Sequence, residues 1–333
     1  MKVAIVILNW NGKKLLERFL PAMIEYSKDL ADIFIADNAS TDDSLAFVQE
    51  HFKSVNIIKN NDNGGYAKGY NDALQHIDAE IFALVNSDVE VTENWLQPIT
   101  SQFVKEQNTA AIQPKILDFK EKTKFEYAGA GGGYLDKYAF AYCRGRLFET
   151  LEEDKGQYND IEDIFWASGA CFFIRKNVFN ELNGFDESYF AHQEEIDLCW
   201  RIQNTGYNIQ YVGTSTIYHV GGATLDKVNP RKTYLNFRNS LYNILKNIPK
   251  GKLISILFIR MLLDGIAALK FLFELKPKHF FAVVKAHFHF YLILPKLLSQ
   301  RKSVKFYKKN YYGVKSIVWQ YFAMGRKKFE QLD

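Results

Sequence analysis

The stretch VAIVILNWNG, residues 3–12, decides the fold class of this chain of 333 residues. It opens with an apolar run rich in β-branched residues, which is typical of a buried strand. Helical spacing follows directly, up to residue 27. Strand and helix patterns then alternate, and further strands are predicted at 32–38, 55–60 and 81–88. The alternation predicts an α/β fold with a mostly parallel central sheet, and the continuously apolar strands predict helices on both of its faces.

Asn and Asp residues stand where each of these four strands ends. In parallel α/β sheets ligands bind beyond the carboxyl ends of the strands, so the four clusters are expected to meet at one edge. Asn and Asp also favour turns, which explains any one cluster more easily than four. A carboxylate at the end of a buried strand, such as Asp88, is costly when it is unpaired. The pattern therefore predicts a polar ligand site, in which Asp88 faces a cation, a helix terminus or water.

Charge is distributed unevenly along the chain. Residues 236–333 hold 19 Lys and Arg against 4 Asp and Glu, whereas residues 1–235 hold 23 against 34. The tail also contains long apolar runs that are interrupted by Arg260, Asp264 and Lys270. This composition predicts helices at an anionic membrane surface, with a helical subdomain on the core or a homodimer interface as alternatives. Charge that alternates with apolar runs argues against nucleic acid as a partner.

The cysteines and the first residues of the chain indicate the cellular compartment in which the protein is expected. Cys143, Cys171 and Cys199 are odd in number and widely spaced, which disfavours a disulfide framework or a structural zinc site. The first apolar run is too short for a signal peptide, and no cleavage site follows it. No segment is expected to have the roughly 20 apolar residues that a spanning helix needs. We therefore predict a cytoplasmic protein that lies peripherally on the inner face of the cytoplasmic membrane.

The segment EEIDLCWR, residues 194–201, begins a predicted helix with three acids. Asp197 and Arg201 have the i, i+4 spacing with the acid first, which favours a structural ion pair. Glu194 and Glu195 lie in the first turn, where the helix dipole stabilises negative charge. Apolar residues bury part of the same helix. A carboxylate beside an apolar wall can have a raised pKa and act as a general base near neutral pH.

Six segments together resemble the inverting glycosyltransferases of family 2, which have the GT-A fold. They occur in the family's order over residues 1–235 and are most similar to the bacterial branch described as rhamnosyltransferase-like. The segments are VAIVILNWNG, IADNASTDDS, NNDNGGYAKGYNDAL, LVNSDV, ASGACFFIRKNVFNELNGFDESYF and EEIDLCWR. The resemblance implies a GT-A catalytic domain over residues 1–235. A helical, basic and apolar C-terminal region is expected over residues 236–333.

The resemblance implies a donor site for a nucleotide-diphosphate sugar at the strand ends. Asn9 matches the polar residue that ends the first strand beside the nucleoside. Asp37 matches the acid that contacts the base, where it would accept the imide N–H of uracil or thymine. Asn63 and Gly65 match the loop that lets the backbone approach the nucleotide, and Ser87 is expected beside the donor. The donor is therefore expected to be UDP- or dTDP-linked.

The resemblance also implies which residues carry the chemistry. Asp88 matches the last acid of the D-x-D motif, which holds a divalent cation, Mg²⁺ or Mn²⁺, on the diphosphate. Asn86 replaces the first acid of that motif, so Asp88 is the one carboxylate it offers to the metal. His219 matches a histidine that completes the metal site in some relatives. Glu195 matches the general base, and Glu194 is the other member of the acid pair.

The implied reaction is a single displacement with inversion, onto a hydroxyl of a glycan or lipid-linked acceptor in cell-surface polysaccharide synthesis. A nucleotidyltransferase of similar fold is an alternative, but it would need a glycine-rich phosphate loop with a basic residue after the first strand. A non-catalytic nucleotide-sugar-binding scaffold is another alternative. The retention of Asp37, Asp88 and Glu195 together argues against a scaffold. The sequence does not identify the sugar or the acceptor.

Overall fold

The computed structural model describes residues 1–221, 229–304 and 306–333. Its strands pair into two sheets. The strands are, in chain order, β1 (Val3–Asn9), β2 (Ala31–Asp37), β3 (Asn56–Lys59), β4 (Ile81–Asn86), β5 (Val89–Val91), β6 (Thr109–Asp118), β7 (Gly133–Leu135), β8 (Ala141–Cys143), β9 (Arg146–Leu147), β10 (Thr150–Leu151), β11 (Ile161–Asp163), β12 (Cys171–Arg175) and β13 (Asn208–His219). The helices are α1 (Lys13–Glu25), α2 (Ser44–His51), α3 (Gly65–Leu74), α4 (Leu96–Lys105), α5 (Lys176–Glu181), α6 (Glu194–Asn204), α7 (Pro230–Asn247), α8 (Leu253–Phe273) and α9 (Pro277–Ser303).

The large sheet joins a parallel half to a mixed half. Its strand order is β11-β13-β6-β12-β4-β1-β2-β3, and β5 pairs with β13. The neighbours β4, β1, β2 and β3 are parallel, so their carboxyl ends lie at one edge. β12 runs antiparallel to both β4 and β6, while β6 and β13 are parallel to each other. The prediction of an α/β fold with a mainly parallel central sheet is confirmed.

Both faces of the large sheet are covered, as predicted. Along β1, the side chains of Val3, Ile5 and Ile7 pack on the face that holds α1, α2 and α4. The side chains of Ala4 and Val6 pack on the opposite face, which holds α3, α5 and α6. All five are at most 2% exposed. Burying a large aliphatic side chain stabilises by roughly 1.5–3 kcal/mol relative to exposing it, so β1 anchors both halves of the core.

Asp88 lies in a turn rather than at the end of a strand. β4 ends at Asn86 and β5 begins at Val89, so the strand predicted at 81–88 is two residues too long. β5 then pairs antiparallel with the end of β13, where His219 is opposite Val89. This pairing places His219 next to Asp88, although the two residues are far apart in the sequence.

Three long helices follow β13, which confirms the predicted C-terminal helical region. α7 begins at Pro230, so the boundary predicted between residues 235 and 236 falls inside a helix. The helix is capped by Asn229, whose side chain accepts a hydrogen bond from the N–H of Arg231. α7 packs against α6, α8 and α9, and α8 packs against α9 across their short connection.

α8 buries one pair of oppositely charged residues and exposes a row of apolar side chains. Arg260 and Asp264 are 4% and 0% exposed, and Nε of Arg260 lies 2.9 Å from Oδ1 of Asp264. Arg260 also donates to the main-chain carbonyls of Tyr138 and Ala139. The buried charges therefore attach α8 to the body of the protein. The exposed large apolar side chains of α8 recur at helical spacing and are Ile254, Phe258, Leu262, Ile266, Leu269, Leu272 and Phe273.

One helix among the described residues, Pro277–Lys302, is long and apolar enough to cross a membrane by length and composition. The prediction that no segment reaches this threshold is therefore wrong, because the helix reaches it without 20 consecutive apolar residues. A single helix of this kind is weak evidence for a span, and the exposed Lys285 interrupts its outer face. The exposed apolar side chains of α9 are Phe281, Val284, Phe288, Tyr291, Leu292 and Leu298.

Candidate active site

The side chains at the ends of β1 and β2 form one hydrogen-bonded cluster. Nδ2 of Asn9 lies 2.9 Å from Oδ1 of Asp37, 3.1 Å from Oγ of Ser40 and 2.9 Å from Oγ of Ser44. The main-chain N–H of Ser40 donates to Oδ2 of Asp37 at 2.9 Å. Asn9 and Asp37 are 0% and 2% exposed. The structure therefore brings these two predicted donor-binding residues together and fixes their orientation.

One acceptor in this cluster has no hydrogen-bond partner among the described residues. It is Oδ1 of Asn9, which is buried. A Cβ added to Gly12 would lie 2.5 Å from this oxygen and 3.7 Å from Oγ of Ser87, so Gly12 separates Asn9 from Ser87. A buried polar group without a partner costs about 1–3 kcal/mol. A ligand that donates a hydrogen bond to Asn9 would remove that cost.

The glycine-rich loop before α3 lies beside the same cluster. The N–H of Gly65 donates to Oδ1 of Asn63 at 3.1 Å, and Nδ2 of Asn38 donates to the carbonyl of Gly65 at 3.0 Å. Gly65 has a φ of +80°, and a Cβ added to it would lie 2.4 Å from the carbonyl oxygen of Phe190. Glycine alone combines this conformation with this close approach at little cost. The predicted residues Asn63 and Gly65 are thus held next to the end of β2.

Asp88 and His219 face each other at the edge of the large sheet. Nε2 of His219 lies 3.2 Å from Oδ1 of Asp88, and Nδ1 of His219 lies 3.4 Å from Oε2 of Glu126. All three residues are at most 5% exposed. Burial opposes the charge on Asp88, but the hydrogen bond and charge of His219 hold the pKa of Asp88 below its usual range. Burial likewise opposes charge on His219, but the two carboxylates raise the pKa of His219 to about 10.

The donor chemistry of this group fits a divalent cation. A carboxylate oxygen and an imidazole nitrogen are both common metal ligands, and a carboxylate behind the ring, here Glu126, commonly orients a ligating histidine. In the part of the chain that the structure describes, no set of three His, Cys, Asp or Glu side chains is arranged to hold a metal ion. Asp88 and His219 therefore offer two ligands. Such a partial site suits a cation that keeps water and phosphate oxygens as its other ligands.

Glu194 and Glu195 begin α6, and both have raised pKa values. Glu194 is 4% exposed, and its burial, followed by the charge of Glu195, raises its pKa well above the usual range. Glu195 is half-buried, and burial raises its pKa to about 7 against backbone hydrogen bonds that lower it. In each carboxylate Oε2 is buried without a hydrogen-bond partner among the described residues. A partly exposed carboxylate with a pKa near 7 can take a proton from a hydroxyl at neutral pH.

The α6 entry loop, residues 189–193, has a strained backbone. Phe190, His192 and Gln193 have φ values of 65°, 67° and 72°, although none of them is glycine. At Phe190 a tight γ-turn is closed by a 2.8 Å hydrogen bond across residues 189–191. Left-handed or otherwise rare backbone conformations cost on the order of 1–3 kcal/mol per residue, and they occur preferentially at functional sites.

Asp197 has the structural role that its spacing predicts. It is fully buried, and Nε of Arg201 lies 2.8 Å from its Oδ2. Nζ of Lys246 lies 2.7 Å from its Oδ1. Burial opposes its ionisation, but Lys246 and then Arg201 outweigh it and lower the pKa of Asp197. Lys246 could not be identified as a partner from local spacing because it lies on α7.

The predicted site residues form pairs. Direct hydrogen bonds or ion pairs join Asn9 to Asp37, Asn63 to Gly65, and Asp88 to His219. Across the described ranges, none of these six residues shares a hydrogen bond or ion pair with Glu194 or Glu195. The donor-side residues and the acid pair are instead connected through the α6 entry loop, because the carbonyl of Phe190 accepts from the N–H of Tyr66 at 2.9 Å.

Two sets of residues near the site were missed by the sequence reasoning. Glu126 contacts His219 but belongs to no motif that would have marked it. Asn239, Asn243 and Asn247 are buried on α7 and repeat at i, i+4 and i+8. That spacing puts three amides on one face of α7, and it was a usable signal.

Known proteins resemble this chain in sequence and fold. The family described as "Glycosyl transferase family 2" matches residues 4–182. The chain is 23% identical over 239 residues to N-acetylglucosaminyl-diphospho-decaprenol L-rhamnosyltransferase of Mycobacterium tuberculosis. The aligned region covers 65% of this chain and 75% of the relative.

Two solved structures show the same fold at low sequence identity. The structure of GalNAc-T7 with UDP, GalNAc and Mn²⁺ gives a TM-score of 0.58 at 17% identity. The superposed region covers 76% of this chain and 49% of GalNAc-T7. TarS 1–349 of S. aureus with UDP-GlcNAc gives a TM-score of 0.56 at 16% identity, covering 90% of this chain and 84% of that one. The predicted GT-A fold is confirmed.

Proposed function

The chain belongs to glycosyltransferase family 2, and we propose that it transfers a hexosyl or deoxyhexosyl group to an acceptor hydroxyl with inversion. The donor is a nucleotide-diphosphate sugar. The observation that carries this proposal is the state of Glu195, which is half-buried, has a pKa of about 7 and holds Oε2 free of hydrogen bonds to the described residues. A carboxylate in this state is suited to be a general base at neutral pH.

In the proposed reaction Glu195 takes the proton of the acceptor hydroxyl while that oxygen bonds to the anomeric carbon. The bond from the anomeric carbon to the diphosphate oxygen breaks, and the diphosphate leaves with the electron pair. Attack opposite the leaving group inverts the configuration. Burial, followed by the charge of Glu195, raises the pKa of Glu194 well above its usual range, which favours the protonated form of Glu194. Two adjacent acids with separated pKa values thus take different roles.

The donor site is proposed to use Asn9, Asp37, Asn63, Gly65 and Ser87. Three hydrogen bonds from Asn9 and Ser40 already reach the oxygens of Asp37. An ionised carboxylate has about four acceptor positions, so Asp37 retains one for the imide N–H of uracil or thymine. These residues support a UDP- or dTDP-linked donor.

Asp88 and His219 are the residues proposed to hold a divalent cation, Mg²⁺ or Mn²⁺. When bound, such a cation supplies positive charge for the leaving diphosphate. The Mn²⁺ in the structure of GalNAc-T7 with UDP supports this assignment. Asp88 contributes the anionic ligand, and Glu126 holds the imidazole of His219 toward it from the other side of the ring.

We place the reaction at the inner face of the cytoplasmic membrane, in the synthesis of a cell-surface polysaccharide. The name of the mycobacterial relative specifies a diphospho-decaprenol acceptor, which supports a lipid-linked glycan acceptor here. The proposed division assigns residues 1–235 to catalysis and residues 236–333 to membrane contact. The outward apolar residues of α8 and α9 support that contact, and the exposed lysines beside them suit anionic headgroups. These lysines are Lys252, Lys270, Lys276, Lys278 and Lys285.

A nucleotide-sugar panel tests the proposed function. The full chain is incubated with UDP-, dTDP- and GDP-linked sugars with Mg²⁺, Mn²⁺ or EDTA, and donor hydrolysis is measured beside calorimetric binding of each nucleoside diphosphate. We expect hydrolysis of a UDP- or dTDP-sugar and cation-dependent binding of the same nucleotide. Failure of every nucleoside diphosphate to bind at millimolar concentration would contradict the proposal. Release of pyrophosphate from a nucleoside triphosphate and a sugar phosphate would instead indicate a nucleotidyltransferase.

A further inference from the structure

α7 presents a polar face to the α6 entry loop and to α6. Asn239, Asn243 and Lys246 repeat at intervals of three and four residues, so they lie on one side of the helix. All three are at most 4% exposed. Buried polar side chains require hydrogen-bond partners. Here the partners include carbonyls of the α6 entry loop, the carboxylate of Asp186 and, on α6, the carboxylate of Asp197. The face therefore joins the C-terminal helices to the segment that precedes Glu195.

The side-chain amide of Asn239 donates hydrogen bonds to three carbonyls of the strained loop. Nδ2 of Asn239 lies 3.2 Å from the carbonyl oxygen of Tyr189, 3.0 Å from that of Ala191 and 2.6 Å from that of His192. Its Oδ1 accepts from Nε of Arg238 at 2.8 Å, which fixes the orientation of the amide. Three carbonyls of residues 189–192 thus converge on one NH₂ group, in a loop where Phe190 and His192 have positive φ values.

Neighbouring side chains of α7 hold the same loop. Nη2 of Arg238 donates to the carbonyls of Ser188 and Tyr189 at 3.0 Å and 2.9 Å. The hydroxyl of Tyr189 donates to Oδ1 of Asn243 at 2.7 Å. These contacts supply the surrounding structure that a strained backbone needs in order to persist.

We propose that Asn239 is a positioning residue, which sets the path of the α6 entry loop and thereby the place of Glu195 relative to the donor loop. The loop continues directly into the first turn of α6, where Glu195 lies. On its other side the carbonyl of Phe190 accepts from Tyr66, next to Gly65. A shift of the loop would therefore move the base against the donor. The inference rests on the proposed function, because it takes Glu195 as the base.

The test compares Asn239→Ala and the isosteric Asn239→Asp with wild type in the full chain. Both variants remove the amide donors, and Asp preserves the side-chain size. Ser240→Ala is the matched control, because Ser240 is also buried on α7 and, among the described residues, its hydroxyl donates to the carbonyl of Asn236 in its own helix rather than to the loop. The readouts are kcat, the donor KM, Tm and amide hydrogen exchange. Arg238→Met is measured as well, since it removes two loop contacts from a half-buried position and decides the question if the Asn239 variants do not fold.

We expect the Asn239 variants to lower kcat at least about tenfold with the donor KM within about threefold, since a small misplacement of a reacting group can cost a hundredfold in rate. Hydrogen exchange should increase in residues 189–195 and stay unchanged in β1 and β4, and Arg238→Met should show a smaller loss. Wild-type kcat in these variants would overturn the inference, as would exchange that increases throughout the chain. Glu195→Gln is assayed in parallel: if it turns over normally, the proposed base fails, whereas an inactive Glu195→Gln beside fully active Asn239 variants removes only the positioning role.

Discussion

Nε2 of His219 lies 3.2 Å from Oδ1 of Asp88, which joins the last residue of β13 to the turn between β4 and β5. Glu126 stands on the other side of the imidazole, at 3.4 Å from Nδ1. The pair lies at the edge of the sheet where the parallel strands end. A divalent cation with a donor diphosphate would find one anionic and one neutral ligand there once His219 has lost its proton.

His219→Ala should therefore remove most of the cation dependence of donor binding. The expected loss is about tenfold or more in the affinity for the nucleoside diphosphate in the presence of Mn²⁺, in line with the cost of perturbing a metal site. Affinity in EDTA should change little. Isothermal titration measures both, with the exposed His76 changed to Ala as the control. A variant whose affinity still responds to Mn²⁺ as wild type does would exclude His219 from the site.

Removing the charge of Glu195 should stabilise the fold at alkaline pH. The pKa of Glu195 is raised from 4.5 to about 7, so between these values the folded protein keeps a proton that the unfolded chain has released. The contribution of this carboxyl group to the free energy of unfolding is therefore fully present below pH 4.5. It decreases as the pH rises toward 7 and stays reduced above pH 7. Glu195→Gln should gain on the order of 1–3 kcal/mol at pH 8 and little at pH 4. Urea unfolding at both values measures this, with the exposed Glu93→Gln as the control; an equal gain at both would count against a raised pKa.

Gly65→Ala should damage the donor loop. Its φ of +80° disfavours a side chain, and the added methyl group would lie 2.4 Å from the carbonyl oxygen of Phe190. We expect a loss of about 1 kcal/mol or more in unfolding free energy, together with a raised donor KM. Gly265→Ala is the control, because Gly265 is in α8, has no positive φ and has nothing within 4 Å of an added Cβ. Wild-type KM and stability for Gly65→Ala would show that the close approach is unimportant.

The apolar face of α8 should be needed for membrane contact. Phe258→Glu with Leu262→Glu places two charges on that face, and we expect binding to phosphatidylglycerol-containing vesicles to fall at least about tenfold. Ile161→Glu, which changes an exposed apolar residue of β11, should bind as wild type does. Vesicle sedimentation measures the binding, and size-exclusion chromatography is run beside it. A full-length chain that ignores the vesicles but forms a dimer sensitive to the same two changes would assign the face to a second copy.

The parallel half of the sheet could be predicted because short contiguous segments of the sequence specify its strands and their polar ends. The apolar run of β1 is a strand over Val3–Asn9, as expected, and the polar residues at its end and at the end of β2 meet as parallel strands require. The contact of Asp88 with His219 depends on the pairing of β5 with β13, which spacing does not encode. The resemblance to a family indicated His219, but nothing indicated Glu126.

The C-terminal region shows why composition misleads at tertiary contacts. Arg260 and Asp264 interrupt an apolar run in the sequence, and the composition of that run does not specify which side of the helix faces the protein. In the structure the two residues are buried as an ion pair, and the apolar residues around them are exposed.

The central claim is that Glu195 removes the proton of the acceptor, and Glu195→Gln tests it most directly. Steady-state transfer is measured with the donor found in the nucleotide-sugar panel, and donor affinity is measured by calorimetry on the same preparation. A general base contributes about 10²- to 10⁴-fold to the rate, so transfer should fall by at least about a hundredfold while donor affinity stays within about threefold. Transfer by Glu195→Gln at a rate close to wild type, with the donor bound normally, would contradict the account.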